Sequence, residues 1–336
     1  MSLSVGIVGL PNAGKSTLFN AILGRAIANT APYPFTTIEP NTGVVAVPDK
    51  RLEVLAKITG IQKIVPAVVK FIDIAGLVKG AHKGEGLGNQ FLAHIREVDC
   101  LCFVLRDFSD EGVSQTGKNP QEDFETLKME LILKDLEKAP NLPKLLAGLN
   151  KGLMASQIEF DDEEKKLIKS LFLLTDKPYF IVLNVSENDL LKIEEKIKLY
   201  KDWTVIPICA KMEEQLLGLA PAEQKEYLKT VGLEKSGLER LIKTAYDHLG
   251  LISFFTTTGG KEIRAWTIPA GSPAVRASSI IHTDFARNFI KAKIVSFGDF
   301  IKYGGWQEAK EKGKVRLEGR DYEIKEGEVV EFEVGS

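Results

Sequence analysis

One stretch decides the fold: Gly9-Leu10-Pro11-Asn12-Ala13-Gly14-Lys15-Ser16. It fits the pattern G-x-x-x-x-G-K-[ST], in which a glycine-rich loop wraps around the phosphates of a nucleotide. The apolar run Val5–Val8 precedes it, and a helix-forming run from Ser16 to Leu23 follows it. Because the pattern requires this strand–loop–helix context, the sequence predicts a phosphate-binding loop at the start of an α/β domain.

The loop predicts a role for each of its residues. Inward-pointing backbone N–H groups and the start of the following helix attract phosphate oxygens. Lys15 supplies a positive charge to the β- and γ-phosphates, and the Ser16 hydroxyl is a ligand of Mg²⁺. The residues expected to contact the nucleotide here are Asn12, Ala13, Gly14, Lys15, Ser16 and Thr17.

Two further segments complete the predicted magnesium site. Asp73-Ile74-Ala75-Gly76 follows an apolar strand, so Asp73 can hold Mg²⁺ through water, and the Gly76 N–H can approach the γ-phosphate. Thr37 lies downstream of the first helix, where its hydroxyl can complete the metal shell when the γ-phosphate is present. A surface position for Thr37 is the alternative.

Short apolar runs alternate with amphipathic stretches through the first two thirds of the chain. This alternation is typical of a mostly parallel sheet with crossover helices. Ligands of such sheets bind at the carboxyl ends of the strands, where the phosphate loop lies. The candidate strands are Leu3–Val8, Thr42–Val47, Val68–Ile72, Cys100–Leu105, Pro178–Leu183 and Thr204–Ile208.

Two segments depart from this alternation. Residues from about 120 to 174 show helical periodicity interrupted by Pro140 and Pro143, which predicts a helical hairpin inserted between two strands. After Gly250 the chain changes to short alternating runs with glycine turns. The sequence therefore predicts a nucleotide-binding domain over residues 1–250 and a small β domain over residues 251–334.

Composition excludes several classes of protein. The chain has 336 residues, and 44 Lys and Arg against 46 Asp and Glu give a net charge of −2, unlike a polycation such as a histone. Three cysteines are too few for a disulfide framework. No apolar run approaches the roughly 18 residues that span a bilayer. We expect a cytoplasmic protein with neither a membrane nor a DNA partner.

The base-recognition segment departs from that of guanine-specific proteins. Asn184-Val185-Ser186-Glu187 follows a strand where such proteins carry N-K-x-D, whose Asp accepts from N1–H and the 2-amino group of guanine. Glu187 is one methylene longer than Asp, and Val185 replaces the Lys. Cys209-Ala210-Lys211 stands where such proteins carry an S-A-K loop against the base. We therefore expect Asn184, Val185, Glu187 and Ala210 to contact the base, with adenine favoured or no preference.

The segment Asp73–Leu92 together with Asn184-x-x-Glu187 resembles the YchF family of Obg-like ATPases. Phe35–Pro48, Arg264–Thr267 and Ile281–Phe285 match as well, so the resemblance covers nearly the whole chain. It implies a Ras-like P-loop NTPase domain with a helical hairpin insertion and a C-terminal TGS domain of β-grasp character. It also implies ATP hydrolysis with Mg²⁺ and binding to the ribosome, either its large subunit or the whole particle, with rRNA as the contact.

Two departures from the family and one from Ras-type enzymes affect these implications. The insertion is shorter than usual, and Ser114 stands where the family often has His. Leu77 stands where Ras-type enzymes place the Gln that orients water. The catalytic residues are therefore unknown; the candidates are Lys15, Gly76 and His82. Asn12 is a candidate ligand for K⁺, with a local turn-capping amide as its alternative.

Three functions remain open from the sequence. The first is an ATP-hydrolysing switch that binds the ribosome. The second is a nucleotide-sensing binding protein whose hydrolysis is incidental, and the third is an Obg-type GTPase with a degenerate base motif.

The segment Lys291–Arg320 contains basic residues interleaved with aromatic ones, a composition that suits RNA binding. The alternative is that the aromatic residues form a domain core and the charged residues form its solvated face.

Overall fold

A computed structural model describes residues 3–28, 41–74, 87–108, 119–137, 142–201, 203–257 and 260–335, with backbone alone at 26–28 and 87–91. The strands are β1 (Ser4–Val8), β2 (Thr42–Ala46), β3 (Ile64–Val65), β4 (Val68–Asp73), β5 (Cys100–Asp107), β6 (Tyr179–Val185), β7 (Val205–Ile208), β8 (Leu251–Thr256), β9 (Ile263–Pro269), β10 (Phe289–Val295), β11 (Arg316–Glu318) and β12 (Val329–Val334).

The helices alternate with these strands. They are α1 (Lys15–Ala28), α2 (Lys50–Thr59), α3 (Leu87–Glu97), α4 (Pro120–Leu136), α5 (Pro143–Asn150), α6 (Asp162–Leu171), α7 (Glu187–Leu190), α8 (Ile193–Lys198), α9 (Ala210–Leu216), α10 (Pro221–Thr230), α11 (Gly237–His248), α12 (Ala274–Ile281), α13 (Thr283–Arg287), α14 (Phe297–Tyr303) and α15 (Trp306–Glu311). None of the described helices combines the length and apolar character needed to cross a membrane.

The first of two compact units comprises the chain up to Val45 and residues Val69–His248. Its six-stranded sheet has the order β2-β4-β1-β5-β6-β7, and β1 pairs in parallel with both β4 and β5. β5–β6 and β6–β7 are parallel as well. The predicted mostly parallel sheet is confirmed, and each of the six predicted strands is present with ends within two residues.

Burial explains why these strands could be recognised in the sequence. β1 is buried along its whole length, and β5 is buried at every position before Asp107. A strand covered by helices on both faces has apolar residues at consecutive positions. The parallel pairing places the carboxyl ends of β1, β4, β5 and β6 at one edge of the sheet, where the phosphate loop begins.

The predicted helical insertion lies between β5 and β6, and it contains three helices, α4, α5 and α6, with a 3-10 turn at Ala155–Gln157. Pro143 begins α5, and Asp161 caps α6 by accepting from the N–H groups of Glu163 and Glu164. The buried Asp135 carboxylate accepts from the N–H groups of Leu174 and Thr175 at 3.0 and 2.8 Å. Asp135 thus fastens the end of the insertion to α4.

The second unit corrects the predicted domain boundary. It comprises Ala46–Val68 together with the chain from Leu249 onward, whereas the sequence placed residues 46–68 in the nucleotide-binding domain. The physical reason is pairing across a long sequence separation: β3 adds to β9 in parallel. The Arg51 guanidinium of α2 also pairs with Glu326 at 2.5 Å and lies 4.9 Å from the centre of the Phe255 ring.

The sheet of the second unit has the order β11-β10-β12-β8-β9-β3. Its first C-terminal strand β8 and its last strand β12 are parallel neighbours, and β8–β9, β10–β12 and β10–β11 are antiparallel. The parallel pair β8 and β12 thus lies at the centre of the sheet and is flanked by antiparallel strands. This arrangement agrees with the β-grasp character that the resemblance implied. Phe254, Ile268, Phe289, Ile294 and Val330 form its core.

The aromatic residues of segment 291–320 belong mostly to this unit's interior. Phe300 is fully buried, the Phe297 ring packs 6.3 Å from the Phe255 ring, and Trp306 Nε1 donates to Thr257 Oγ1 at 3.0 Å. The Phe300 ring is therefore not available to stack on bases, whereas Phe297, Tyr303 and Trp306 are half-buried. Several basic residues of the same segment, by contrast, are exposed.

Candidate nucleotide site

The loop between β1 and α1 has the backbone that phosphate binding requires. Asn12 and Gly14 have left-handed φ angles of 63° and 89°. A Cβ atom on Gly14 would lie 2.0 Å from Asn184 Nδ2, so only glycine fits there. The chain turns sharply here and enters α1 at Lys15, which brings consecutive N–H groups to the start of a helix.

Asn184 joins three segments of the site. Its Nδ2 donates to the Ala13 carbonyl at 3.0 Å, and its Oδ1 accepts from the Ala210 N–H at 3.1 Å. The side chain is buried at the end of β6, where the amide reaches both neighbours. One amide therefore fixes the phosphate loop against the loop that begins α9.

Lys15 and Asp73 form the charged centre of the site. Lys15 is 9% exposed, and its Nζ donates to the Leu10 carbonyl at 2.9 Å. Burial lowers the pKa of the Lys15 ammonium, and the nearby Asp73 carboxylate partly opposes this change. Burial likewise raises the pKa of Asp73, opposed by Lys15. Each charge therefore offsets part of the desolvation cost of the other.

One carboxylate oxygen of Asp73 has no hydrogen-bond partner among the described residues. Its Oδ1 is buried and has no hydrogen bond within the part of the chain that the structure describes. In the same part, no cluster of three or more His, Cys, Asp or Glu side chains could hold a metal ion. Mg²⁺ beside phosphates needs only one or two protein oxygens, because waters and phosphate oxygens fill the other positions. The Asp73 carboxylate fits this kind of site.

A cavity of about 820 Å³ extends from the phosphate loop towards the base-recognition segments. Of the residues predicted from the sequence to bind nucleotide, those that line it are Asn12, Gly14, Ser16, Thr17, Asn184, Val185, Glu187 and Ala210. Ala13 and Lys15 lie in the loop beneath, and Asp73 pairs in register with Ile7 of β1. Thr37, Gly76 and His82, with Leu77 and Ser114, lie outside the described residues.

Some residues of the cavity wall were not anticipated. They are Phe108, Ser186, Met212, Glu214 and Gln215. Phe108 directly follows β5, so the rule that ligands bind beyond the carboxyl ends of strands could have found it. The last three lie on α9 within two helical turns of Ala210, and only the helix direction places them at the cavity.

The Glu187 carboxylate at the base end has a partner from a distant helix. Its Oε1 accepts a hydrogen bond from the Tyr227 hydroxyl of α10, and this bond raises the pKa of Tyr227. The turn that carries Glu187 is held in place, because the Ser186 hydroxyl donates to Asp189 at 2.7 Å. Lys196 bridges Asp189 and Asp107 at 3.3 and 2.7 Å. Nothing in the sequence around Tyr227 indicates this contact.

Comparison with known proteins identifies the family. A family model described as "50S ribosome-binding GTPase" matches residues 4–151, and one named for the C-terminal part of YchF GTPases, described as "Protein of unknown function", matches residues 251–335. The chain is 44% identical over 364 aligned positions to "Ribosome-binding ATPase YchF" of Bacillus subtilis (strain 168), covering 99% of each chain. The chain belongs to the YchF family.

Other members agree over the same span. A protein of the same name from Escherichia coli O157:H7 is 44% identical over 361 positions, again with 99% of each chain covered. The solved structure of the Schizosaccharomyces pombe YchF GTPase superposes with a TM-score of 0.86 at 34% identity, covering 99% of this chain and 98% of that one. Since 364 aligned positions exceed the 336 residues here, this YchF-family chain lacks residues within the matched span that the Bacillus relative has.

Proposed function

We propose that this YchF-family protein hydrolyses ATP and uses the nucleotide state to control its binding to the ribosome. The observation that carries the proposal is the cavity in which the phosphate loop and the altered base segment Asn184–Glu187 meet. Beside it, on the strand next to β1, lies the Asp73 carboxylate, whose Oδ1 has no hydrogen-bond partner among the described residues. The names of the relatives, which are ribosome-binding ATPases, support both halves of the proposal. Because the ribosome is a cytoplasmic partner, we infer the same location for this chain.

Several residues of the site have distinct roles in this proposal. Lys15 exchanges the Leu10 carbonyl for β- and γ-phosphate oxygens, and the loop N–H groups orient the phosphates. Ser16, Thr37 and Asp73 hold Mg²⁺, which neutralises charge on the phosphates when bound. The Asn184 amide keeps the phosphate loop and the base loop at a fixed separation. Gly76 and His82 remain candidates for contacts to the γ-phosphate and the attacking water.

Nucleotide choice tests the first half of the proposal. A guanine site that lacks two hydrogen bonds to a charged group, of roughly 1.5–3 kcal/mol each, binds GTP at least about a hundredfold more weakly. We therefore expect ATP to bind as well as GTP or better. Competition titrations with the two triphosphates measure this, and a tenfold preference for GTP would favour the Obg-type GTPase instead.

Turnover with ribosomes separates a hydrolase from a nucleotide sensor. ATP and GTP hydrolysis are measured with and without purified ribosomes, using the full chain. Because Leu77 has no polar group to orient water, we expect slow intrinsic ATP turnover that ribosomes raise. ATP binding without turnover in either condition would support the nucleotide-sensing protein.

A monovalent cation is the second ion of the proposal. Asn12 is exposed and lines the cavity, and its side chain has no hydrogen bond within the described residues, so its amide is available to an ion beside the phosphates. A K⁺ ion held there would stabilise charge that develops on the phosphates. We expect ATP turnover to rise when K⁺ replaces Na⁺ at constant ionic strength. Asn12→Ala should remove the difference, and equal rates of the unaltered protein in the two salts would contradict the role of Asn12.

The RNA contact of the proposal lies on the lysine group of the second unit, which we define as Lys302, Lys310, Lys312 and Lys314. All four side chains are exposed and have no ion pair within the described residues. Lys291 and Lys293 of β10, by contrast, pair with Glu333 at 3.1 and 2.7 Å. Only unpaired cations gain fully from phosphate contact, because paired ones must first leave their carboxylates.

A further inference from the structure

The Glu187 carboxylate is the group at the base end whose chemistry can distinguish the two purines. The Asn184 amide is already engaged at both ends, because its Nδ2 donates to the Ala13 carbonyl and its Oδ1 accepts from the Ala210 N–H. The Ser186 hydroxyl is already donated to Asp189. Glu187 stands where guanine-specific proteins carry the Asp that accepts from guanine. The acceptors available to the base therefore depend on which Glu187 oxygens already accept from the protein.

Guanine and adenine present different hydrogen-bonding groups to a carboxylate. Guanine presents two adjacent donors, N1–H and the 2-amino group, which match two free oxygens side by side. Adenine presents one donor, the 6-amino group, beside the acceptor N1. An oxygen that already accepts a hydrogen bond from the protein is a weaker acceptor for a second donor, so guanine loses more than adenine does when one oxygen is engaged.

In this structure Tyr227 engages that oxygen. Its hydroxyl donates to Glu187 Oε1, an exposed hydrogen bond to a charged acceptor. The same bond raises the pKa of the Tyr227 hydroxyl above its ordinary value. The Tyr227 ring is half-buried against the core that also contains Leu190, Val231 and Met212, which limits its movement.

We propose that Tyr227 is a specificity-determining residue, which positions the Glu187 carboxylate and competes with guanine for one of its oxygens. The proposal rests on the proposed ATP function and gives it a physical origin. Guanine must either share Oε1 with the tyrosine hydroxyl or displace it, while adenine needs neither. Tyr227 thus acts on base choice through Glu187.

The test is the Tyr227→Phe variant of the full chain, which removes the hydroxyl and keeps the ring. Dissociation constants for ATP and GTP are measured with Mg²⁺ by competition titration. We expect the ratio of the GTP constant to the ATP constant to fall about tenfold, the factor that one hydrogen bond to a charged group represents. A purely structural role of Tyr227 would change both constants together and leave the ratio unchanged.

Two controls sharpen the result. Tyr200 packs against the same core and has no hydrogen bond from its hydroxyl within the described residues, so Tyr200→Phe should leave the ratio unchanged. In a Glu187→Ala background, Tyr227→Phe should no longer change the ratio. The same shift in that background would overturn the proposal, because it would show that Tyr227 does not act through Glu187.

The possible failures are distinguishable. A wild-type protein that prefers GTP contradicts the proposed ATP function, whatever the variants do. A wild-type protein that prefers ATP, with an unchanged ratio in Tyr227→Phe, overturns the role of Tyr227 alone.

Discussion

Replacing Lys15 with alanine is expected to weaken ATP binding by at least about a hundredfold, because the variant loses charge-assisted bonds to two phosphates at roughly 1.5–3 kcal/mol each. Burial strengthens the effect, since water screens the charge less at a residue that is only 9% exposed. Isothermal titration of the full chain with ATP and Mg²⁺ measures the loss.

The fold should survive this substitution. In the structure Lys15 makes one hydrogen bond, to the Leu10 carbonyl, and its side chain belongs to the phosphate loop rather than to the apolar core. Thermal unfolding without nucleotide checks this expectation. Lys225→Ala, which removes an exposed lysine of α10 from the same unit, is the matched control for loss of one positive charge. Unaltered ATP affinity in Lys15→Ala would remove the basis for a phosphate site.

The phosphate loop and the first sheet could be predicted from the sequence because their determinants are local. Residues 9–16 contain the whole loop, and φ angles of 63° at Asn12 and 89° at Gly14 follow from the turn that the pattern encodes. β5 is a continuous apolar run because helices cover both faces of the sheet. Asn184 and Ala210 could be proposed as site residues because each lies at or just beyond the end of a strand of that sheet.

Residues 46–68 could not be assigned correctly because their partners lie about two hundred positions away. β3 has two residues, too few for any periodic signal, and is defined by its pairing with β9. The Asp49 cap predicts that α2 begins at Lys50, but nothing near it predicts that Arg51 pairs with Glu326. Local patterns specify elements, whereas the unit to which an element belongs depends on contacts that are distant in sequence.

The contact between Glu187 and Tyr227 was missed for the same reason. The altered N-x-x-E motif indicated that guanine recognition is impaired, yet it could not show that a hydroxyl forty positions away holds the carboxylate. A tyrosine on the half-buried face of α10 has the pattern of an ordinary packing residue. Only the three-dimensional arrangement distinguishes its ring, which packs, from its hydroxyl, which reaches the site.

Replacing all four lysines of the lysine group with glutamine is expected to cause a large loss of ribosome affinity when binding is measured at low salt. Each phosphate contact releases counterions, and four contacts to single-stranded RNA correspond to a loss of about fiftyfold in affinity between about 50 and 200 mM salt. Co-sedimentation with ribosomes is measured with ATP and with ADP. In whichever nucleotide state binds the ribosome, the unaltered protein should show this salt dependence. The quadruple variant should bind weakly at low salt and lose most of the dependence.

The control for this experiment must remove the same charge from the same unit. Lys63, Lys291, Lys293 and Lys325 each face a glutamate, so changing these four to glutamine tests net charge without removing free cations. Deleting the chain after Gly250 would be a poorer test, since α2 and β3 would lose the sheet against which they fold. If both quadruple variants weaken binding equally, net charge rather than the lysine group guides the contact. If neither does, the ribosome binds another surface, and the short helical insertion between β5 and β6 is the next region to test.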